Sequence, residues 1–309
     1  MFSKTQSNVL PVSIGQAKLG VQMSTQSHRL MGILNVTPDS FFDGGRYAEV
    51  ERAVLRAEQM VAAGADIIDI GGESTRPGAP AVSEEDELRR VIPVIQALRQ
   101  RGVVVPISID TRKARVASQA LAAGATLLND VSGFRDPEMQ DVAATSLAEL
   151  CIMHMQGDPQ SMQSAPHYEK GVVYAIMHWL EGQVKMLVEK GVSPSRIILD
   201  PGIGFGKTVA HNIEILHNLR TLKSLGFPVL LGASRKSFTA KILNEVAGNV
   251  AKNNIVKSLS GPLSATLAVN TLALMAGVDI IRVHDIKEHR ELIDFISYIK
   301  TAKRTIYSS

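Results

Sequence analysis

The sequence predicts an α/β protein built as a (β/α)₈ (TIM) barrel. Eight short apolar runs rich in Ile, Val and Leu recur along the chain, and each ends in polar residues. Their hydrophobicity is continuous rather than alternating, which is typical of strands buried on both faces of a parallel sheet. The runs cover residues 30–36, 66–71, 103–109, 126–129, 150–153, 196–199, 228–231 and 279–283.

The segments between these runs have the apolar spacing of helices. One of them places Leu88 and Ile95 on one face, after an acidic start that favours a helix N-terminus. Three segments end in a glycine just before the next run, at Gly64, Gly124 and Gly277, where glycine supplies a left-handed turn. A doubly wound open sheet shares this alternation, but eight units with polar strand ends favour the barrel.

The barrel accounts for most of the 309 residues as a single domain. Barrels of this kind are roughly 250 residues long, and residues 30–309 contain no linker that would divide them. Residues 1–29 are expected to form an N-terminal extension, a strand or hairpin that closes the bottom of the barrel.

Composition excludes several classes of protein. With 45% hydrophobic and 20% charged residues the chain is neither disordered nor fibrous. Its 33 basic and 30 acidic residues include no basic arm, so we expect no nucleic-acid partner. Cys151 is the single cysteine, which excludes an intrachain disulfide and any multi-cysteine zinc site and predicts a cytoplasmic location.

One uncharged stretch, residues 258–278, is long enough on paper to span a bilayer. It contains Pro262, Asn270 and several hydroxyl residues, and charged segments flank it on both sides. A buried helix that begins near Pro262 is the better interpretation. We therefore expect no membrane partner.

Polar side chains follow nearly every predicted strand, and in a barrel the carboxyl ends of the strands carry the active site. A capping role would explain any one of them, but not the whole set. They are Asn35, Thr37, Asp39, Glu73, Ser74, Thr75, Arg76, Asp110, Thr111, Arg112, Asn129, Asp130, His154, Asp200, Ser234, Arg235, Lys236, Arg282, His284 and Asp285.

Three of these residues suit a flat heterocycle. Asp110, Asn129 and Asp200 end buried apolar strands, and a carboxylate can accept two adjacent N–H groups from a 2-amino-4-oxo pyrimidine edge. Burial makes an unpaired carboxylate costly, which selects ligands that carry this edge. The alternative that Asp110 caps the following helix stays open, whereas Pro201 after Asp200 makes capping less natural there.

A second group suits an anionic ligand. Arg76, Lys236, Arg282 and His284 are cationic or polar partners for phosphate oxygens, and Asn35 offers a hard oxygen for Mg²⁺. Arg282 lies inside an apolar run, which makes a merely solvated role a poor explanation.

The glycine-rich segment 202–208 looks like a phosphate-binding P-loop. That motif needs four residues between its first glycine and Gly-Lys-Thr, and the required position is occupied by Pro201. The spacing therefore argues against hydrolysis of ATP or GTP.

Taken together, eight segments closely resemble the dihydropteroate synthase family of pterin-binding enzymes, in order from residue 31 to near the end of the chain. They are Met-Gly-Ile-Leu-Asn-Val-Thr-Pro-Asp-Ser-Phe at 31–41, Asp-Ile-Gly-Gly-Glu-Ser-Thr-Arg-Pro-Gly-Ala at 69–79, Ile-Ser-Ile-Asp-Thr at 107–111, Asn-Asp-Val-Ser-Gly at 129–133, Met-His-Met at 153–155, Asp-Pro-Gly-Ile-Gly-Phe-Gly at 200–206, Ser-Arg-Lys-Ser at 234–237 and Arg-Val-His-Asp at 282–285. Any one motif alone would be weak, but eight in order are specific.

This resemblance implies a (β/α)₈ barrel and a transferase of folate biosynthesis. The family joins 6-hydroxymethyl-7,8-dihydropterin diphosphate to p-aminobenzoate, giving dihydropteroate and diphosphate. It implies a dissociative displacement with Mg²⁺ as cofactor, a homodimer, and sulfonamides as inhibitors that occupy the p-aminobenzoate pocket.

The resemblance also implies roles for individual residues, with Asp110, Lys236 and Arg282 as the catalytic groups. The pterin ring would be held by Asp110, Asn129, Met153, Asp200, Phe205 and Lys236. The diphosphate would be held by Asn35, Thr75, Arg76, Arg282 and His284, with Mg²⁺ at Asn35. The p-aminobenzoate pocket would be formed by Phe41, Arg76, Pro77, Lys236 and Ser237.

Two rival functions remain at this stage. A pterin-binding methyltransferase that serves a corrinoid partner shares the barrel and the ring-binding groups, but it has no diphosphate to hold. Arg76, Lys236, Arg282 and Asn35 argue against it. A non-catalytic pterin-binding homologue is the other rival, and we would expect such a chain to have lost part of this set.

Overall fold

Eight parallel strands form a barrel in the computed structural model. The structure describes residues 28–37, 45–74, 79–158, 161–252 and 262–307. The strands within these ranges are β1 Arg29–Asn35, β2 Ile67–Gly71, β3 Ile107–Asp110, β4 Leu127–Asp130, β5 Glu149–Met153, β6 Ile197–Asp200, β7 Leu230–Leu231 and β8 Ile280–Val283. Hydrogen bonds join them in the order β6-β5-β4-β3-β2-β1-β8-β7. A parallel bridge between Leu199 and Val229 closes the ring between β6 and β7, so the barrel prediction is confirmed and the open sheet is excluded.

Helices connect the strands on the outside of the barrel. Those in the described residues are α1 Gly45–Ala62, α2 Glu84–Gln100, α3 Ala114–Ala122, α4 Pro137–Thr145, α5 Val172–Glu189, α6 Val209–His217, α7 Leu219–Lys223, α8 Ser237–Lys252, α9 Pro262–Ala276 and α10 Ile286–Tyr307. Two connections hold a second helix, α7 before β7 and α9 before β8. The strict one-helix repeat was therefore wrong at these two places.

The helix ends follow the chemistry predicted for them. Gly64, Gly124 and Gly277 have φ values of 98°, 114° and 92°, the left-handed conformation that ends a helix before the next strand. At the N-terminal end of α2, the Ser83 hydroxyl accepts the Asp86 N–H at 3.1 Å, and four acidic residues fill the first turn.

Two strands are shorter than predicted. The run 103–109 contributes only Ile107–Asp110, because Pro106 has no N–H to donate and Val104 is 89% exposed. The run 228–231 contributes only Leu230–Leu231 as a strand. Continuous hydrophobicity marked these strands but could not mark where their pairing begins.

The uncharged stretch forms α9, which begins at Pro262 as predicted and buries Thr266 and Asn270. No helix within the described residues is both long and apolar enough to cross a membrane.

The bottom of the barrel is fixed by polar contacts at the start of β1. Arg29 forms a two-pronged ion pair with Glu149, at 3.0 and 3.2 Å, and His28 Nδ1 lies 2.7 Å from the carbonyl oxygen of Val278. Residues 1–27 lie outside the described residues, so the strand or hairpin expected of the extension stays a prediction.

Candidate active site

The barrel interior changes from apolar to polar in one step along the strands. A buried layer of Met31, Ile67, Leu127, Cys151, Ile198, Leu230 and Ile280 fills its lower part. Residues two positions apart on a strand point to the same side. The next inward layer therefore includes Asp69, Asn129, Met153, Asp200 and Arg282, at the carboxyl ends of the strands. The strand period alone brings the predicted site residues Asn129, Met153, Asp200 and Arg282 together, with Asp69 beside them.

A buried ion-pair network occupies the middle of this layer. Arg282 donates from Nε to Asp69 Oδ2 at 2.6 Å and from a terminal nitrogen to Asp110 Oδ2 at 2.7 Å. The same Asp69 oxygen accepts the Asn129 amide at 3.2 Å. Asp69 is fully buried, and Asp110 and Asn129 are nearly so. Four side chains from β2, β3, β4 and β8 are thus held in one arrangement.

The network shifts the pKa values of its members. Burial raises the pKa of Asp110 to about 7; the positive charge of Arg282 opposes this shift, and the charge of Asp69 adds to it. Burial alone would lower the pKa of Arg282, but the two carboxylates outweigh it and hold that pKa above its usual value. Asp110 therefore titrates near neutral pH, whereas Arg282 stays charged.

Two carboxylate oxygens in the network are left without a hydrogen bond in the described part of the chain. Oδ1 of Asp69 and Oδ1 of Asp110 are buried and have no hydrogen-bond partner among the described residues. Unpaired buried acceptors are costly, and they mark places where N–H donors are expected to bind.

Asp200 lies on the opposite side of the same layer. Its Oδ1 accepts the Gly202 N–H at 2.7 Å. Burial raises the pKa of Asp200, and the charge of Lys236 opposes the rise. Gly202 has a φ of 67°, and a Cβ there would lie 2.0 Å from the His154 carbonyl oxygen. Only glycine lets the chain turn this tightly beside Asp200.

Lys236 reaches across the mouth of the barrel from the β7–α8 turn. Its ammonium lies 4.3 Å from the centre of the Phe205 ring and donates to the carbonyl oxygen of Ile203. Burial lowers the pKa of Lys236 to about 8. Phe205 also packs against the buried cluster that contains Met153. An apolar face and a cation therefore lie beside Asp200, as a ring-binding site requires.

The β7 and β8 ends form a second polar region. His284 Nδ1 lies 2.9 Å from the Ser234 hydroxyl, which accepts the His284 N–H at 3.2 Å. Asp285 forms an ion pair with Arg235, and a φ of 57° at Arg235 turns the chain toward Lys236. Ser237 begins α8 and is exposed at the rim.

Asn35 ends β1 beside Gly71, its paired residue on β2. A Cβ on Gly71 would lie 3.9 Å from the amide oxygen of Asn35, so glycine leaves space in front of that oxygen. No cluster of three His, Cys, Asp or Glu side chains that could hold a metal occurs in the described part of the chain. Mg²⁺ prefers oxygen ligands and is commonly held by few protein groups together with substrate phosphates and water, so the neutral amide oxygen of Asn35 would serve as one ligand among these.

Four predicted site residues, Phe41, Thr75, Arg76 and Pro77, lie outside the described residues. Several contacts hold the start of the β2–α2 connection. Glu73 accepts the Val82 N–H at 3.3 Å and forms ion pairs with Arg112 at 3.2 Å and Lys113 at 2.7 Å. Lys113 also pairs with the buried Glu87. These contacts tie the β2–α2 connection to the turn that follows Asp110.

Two results differ from what residue types alone suggested. Asp110 does not cap α3, whose N-cap is Lys113, so the capping alternative is wrong. Asp69 was missed as a site residue although it makes more contacts in the network than Asn129 does. A charged residue inside an apolar run had singled out Arg282, and the same signal was present at Asp69.

Known proteins are similar to this chain in both sequence and architecture. A family model described as "Pterin binding enzyme" matches residues 31–284. Dihydropteroate synthase of Synechocystis sp. is 46% identical over 90% of this chain and 91% of its own length. The crystal structure of Yersinia pestis dihydropteroate synthase with a sulfonamide drug superposes with a TM-score of 0.79 at 40% identity, covering 89% of this chain and 95% of that one. That of the Clostridium difficile enzyme, in the presence of pteroic acid, gives 0.79 at 44%, covering 89% and 97%.

The chain therefore belongs to the pterin-binding enzymes, a class that the barrel and the polar layer at its mouth had already indicated. Within that class it is a member of the dihydropteroate synthase family, whose members are transferases.

Proposed function

We propose that this chain joins 6-hydroxymethyl-7,8-dihydropterin diphosphate to p-aminobenzoate, using the residues of the barrel mouth in the roles given below. The proposal rests on the two buried carboxylates of Asp69 and Asp110, each of which forms an ion pair with Arg282. Their unpaired Oδ1 atoms offer acceptors to a ring rich in N–H groups, and Arg282 supplies positive charge at the same place. One site thus suits both halves of a pterin diphosphate.

The pterin ring is assigned to the space between the network and Asp200. The carboxylates of Asp110 and Asp200 would accept hydrogen bonds from N–H groups at the edges of the ring, and the amide of Asn129 could accept or donate. Phe205 and Met153 would cover one face of the ring. Lys236 would donate to a carbonyl oxygen or a ring nitrogen. The lowered pKa of Lys236 and the raised pKa values of both aspartates come first from burial, which also excludes water from the ring.

The diphosphate is assigned to the side of the barrel mouth formed by the ends of β1 and β8 and by the β2–α2 connection. Arg282 and His284 would contact its oxygens together with Thr75 and Arg76, and Asn35 would hold Mg²⁺. When bound, Mg²⁺ would supply positive charge to the departing diphosphate. The rim residues Phe41, Arg76, Pro77, Lys236 and Ser237 are assigned to p-aminobenzoate.

The reaction in this arrangement is a dissociative displacement. The CH₂–O bond breaks and its electron pair leaves with the diphosphate, which Arg282 stabilises as negative charge develops. Ionised Asp110 stabilises the positive charge that spreads into the pterin. The amine nitrogen of p-aminobenzoate then supplies the electron pair of the new C–N bond and loses a proton to water. No covalent enzyme intermediate is required.

The proposal extends to assembly, inhibition and location. Packed helices α9 and α10 expose Leu272, Met275, Phe295, Tyr298 and Ile299, an apolar surface that suits a second copy of the chain. We assign sulfonamide binding to the p-aminobenzoate pocket, supported by the drug complex of the Yersinia pestis relative. A single, buried cysteine supports a cytoplasmic location.

Diphosphate release is the decisive measurement. Purified enzyme is mixed with the pterin diphosphate and Mg²⁺, with and without p-aminobenzoate. We expect release that depends on p-aminobenzoate, and a loss of at least about 100-fold in Asp110→Ala. Asp141→Ala, which removes an exposed carboxylate on α4, is the control and should release diphosphate normally.

The rival functions give different results in the same assay. Well-folded protein that binds a pterin but releases no diphosphate would point to the non-catalytic homologue. Methyl transfer from a methylated folate to a corrinoid protein would point to the methyltransferase. A covalent pterin adduct trapped during turnover would overturn the dissociative course.

A further inference from the structure

Lys207 lies in the glycine-rich segment 202–208 that resembled a P-loop, and it points into the protein rather than toward an anion. The residue is only 3% exposed. Its Nζ lies 2.9 Å from the Phe205 carbonyl oxygen, 3.2 Å from the His154 carbonyl oxygen and 3.0 Å from His154 Nδ1. These three contacts use the full bonding capacity of a lysine amine, and none of them is to a carboxylate.

The three contacts join the ends of two neighbouring strands. His154 follows β5 directly and its N–H donates to the Asp200 carbonyl oxygen at 2.9 Å, while Phe205 lies in the loop after β6. Of the two apolar residues assigned to the pterin, Phe205 is contacted directly through its carbonyl oxygen, and Met153 precedes the contacted His154 in the chain. Lys207 thus connects the two sides of the proposed ring site from behind.

The connection continues to Lys236. Phe205 presents its ring to the Lys236 ammonium, and Ile203 in the same loop accepts from it. Tyr168 fixes the following carbonyl, that of Gly206, at 2.8 Å, and Asn212 fixes the Gly204 N–H at 2.8 Å.

A buried lysine without a carboxylate in contact is a poor choice for stability alone. Burial holds the pKa of Lys207 well below its usual range, and burial followed by the charge of Lys207 lowers the pKa of His154 to about 2. Replacing a buried charged group together with its partners by well-packed apolar side chains is often neutral or stabilising, so a buried charge is weak evidence of a role in stability. A side chain that only filled this space could be methionine.

We propose that Lys207 is a positioning residue of the pterin site, which holds the Phe205 carbonyl and His154 so that Phe205 and Lys236 meet the ring. It does not touch the substrate. The inference rests on the proposed function, because it assigns Lys207 to the pterin half of that site and to no other step.

The test compares Lys207→Met, which keeps most of the unbranched side chain and removes its donors, with Lys190→Met. Lys190 is a surface lysine paired with Asp141, so its replacement is a matched control. The probe is 6-hydroxymethylpterin, titrated by calorimetry into each protein. We expect Lys207→Met to weaken its binding about 10-fold or more, because small displacements at a site have large effects.

Kinetics and stability separate positioning from a structural role. In Lys207→Met we expect KM for the pterin diphosphate to rise and KM for p-aminobenzoate to change little. The Tm should fall only modestly, because two carbonyl oxygens lose their donor while the side chain stays packed. Lys207→Gln, which retains N–H donors, should recover part of the affinity. The Lys190→Met control should bind 6-hydroxymethylpterin as tightly as the wild type does.

Each remaining outcome decides the inference. Equal pterin affinity in Lys207→Met and wild type would overturn it while leaving the proposed function intact. Failure of both Lys207 variants to fold would also overturn it, since Lys207 would then serve the fold itself. A wild type that binds no pterin and releases no diphosphate would instead reject the proposed function.

Discussion

At the scale of single residues, one oxygen of Asp69 holds two other side chains of the site. It accepts Arg282 at 2.6 Å and Asn129 at 3.2 Å, so it fixes one residue assigned to the diphosphate and one assigned to the pterin. Such a shared acceptor makes their positions interdependent, and their contributions should not be additive.

Asp69→Asn tests this dependence. The amide keeps the shape but removes a charge, so Arg282 keeps only Asp110 as its carboxylate partner. We expect kcat/KM for the pterin diphosphate to fall by about 10-fold to 100-fold, and the double variant with Asn129→Ala to lose less than the product of the single losses. Full additivity in steady-state kinetics would contradict the shared role.

Asp110 should give the reaction a pH dependence. Its pKa is raised to about 7, first by burial, and only the carboxylate can accept two ring N–H groups. We therefore expect kcat/KM for the pterin substrate to rise with pH through about 7. The pH profile of Asp110→Asn should lack this rise, and an unchanged profile in that variant would assign the titration elsewhere.

The same ionisation affects stability with the opposite sign. The folded, ligand-free protein holds the Asp110 proton more tightly than the unfolded chain does, so the free energy of unfolding falls as pH rises from about 4 to about 7. Denaturant unfolding of wild type and Asp110→Asn should therefore diverge over this range, with the wild type losing more stability as pH increases.

At the scale of elements, strand period and strand ends carried most of the prediction. Asn35, Asp110, Asn129, Asp200 and Arg282 could be placed from sequence because parallel strands bring their carboxyl ends to one face. The buried helix α9 was predicted from the uncharged stretch that begins near Pro262. The short helix α7 was not anticipated, since local periodicity does not specify how often a connection folds back. The role of Glu73 was also hidden, because its partners follow a different strand.

Glu73→Gln tests how the β2–α2 connection is held. Three contacts end on this carboxylate, and although burial would raise its pKa, Lys113 followed by Arg112 lowers that pKa overall. We expect the variant to unfold about 1 kcal/mol more easily at neutral pH. The difference should vanish as acid protonates Glu73. Glu85→Gln, which breaks an exposed pair with Arg115, should leave denaturant midpoints unchanged.

At the scale of the whole molecule, the exposed side of α9 and α10 predicts the assembly. Phe295 and Tyr298 are 64% and 74% exposed on α10, and Lys300 bonds the Leu274 carbonyl oxygen of α9 at 2.7 Å, which keeps the two helices together. Large aromatic side chains are enriched in protein interfaces, whereas they are uncommon on a free surface.

Phe295→Glu should convert a dimer into a monomer. We expect light scattering to give a dimer mass for the wild type and a monomer mass for the variant at micromolar concentration, because an unpaired charge would be buried at the interface. Leu147→Glu changes a side chain that is 95% exposed on the opposite, α4–β5 connection, and should leave the dimer intact. A monomeric wild type would refute the assembly.

The bridge between Leu199 and Val229 is a single contact where every other neighbouring pair of strands shares a longer ladder. Local opening of a fold starts where the fewest bonds must break together. The ladder between β6 and β7 should therefore open locally before the other strand pairs do. Because Asp200 ends β6 and Lys236 follows β7, this opening would separate two residues assigned to the pterin. Amide exchange should be faster at Leu199 than at Ile68 in the free protein, and bound pterin should slow it.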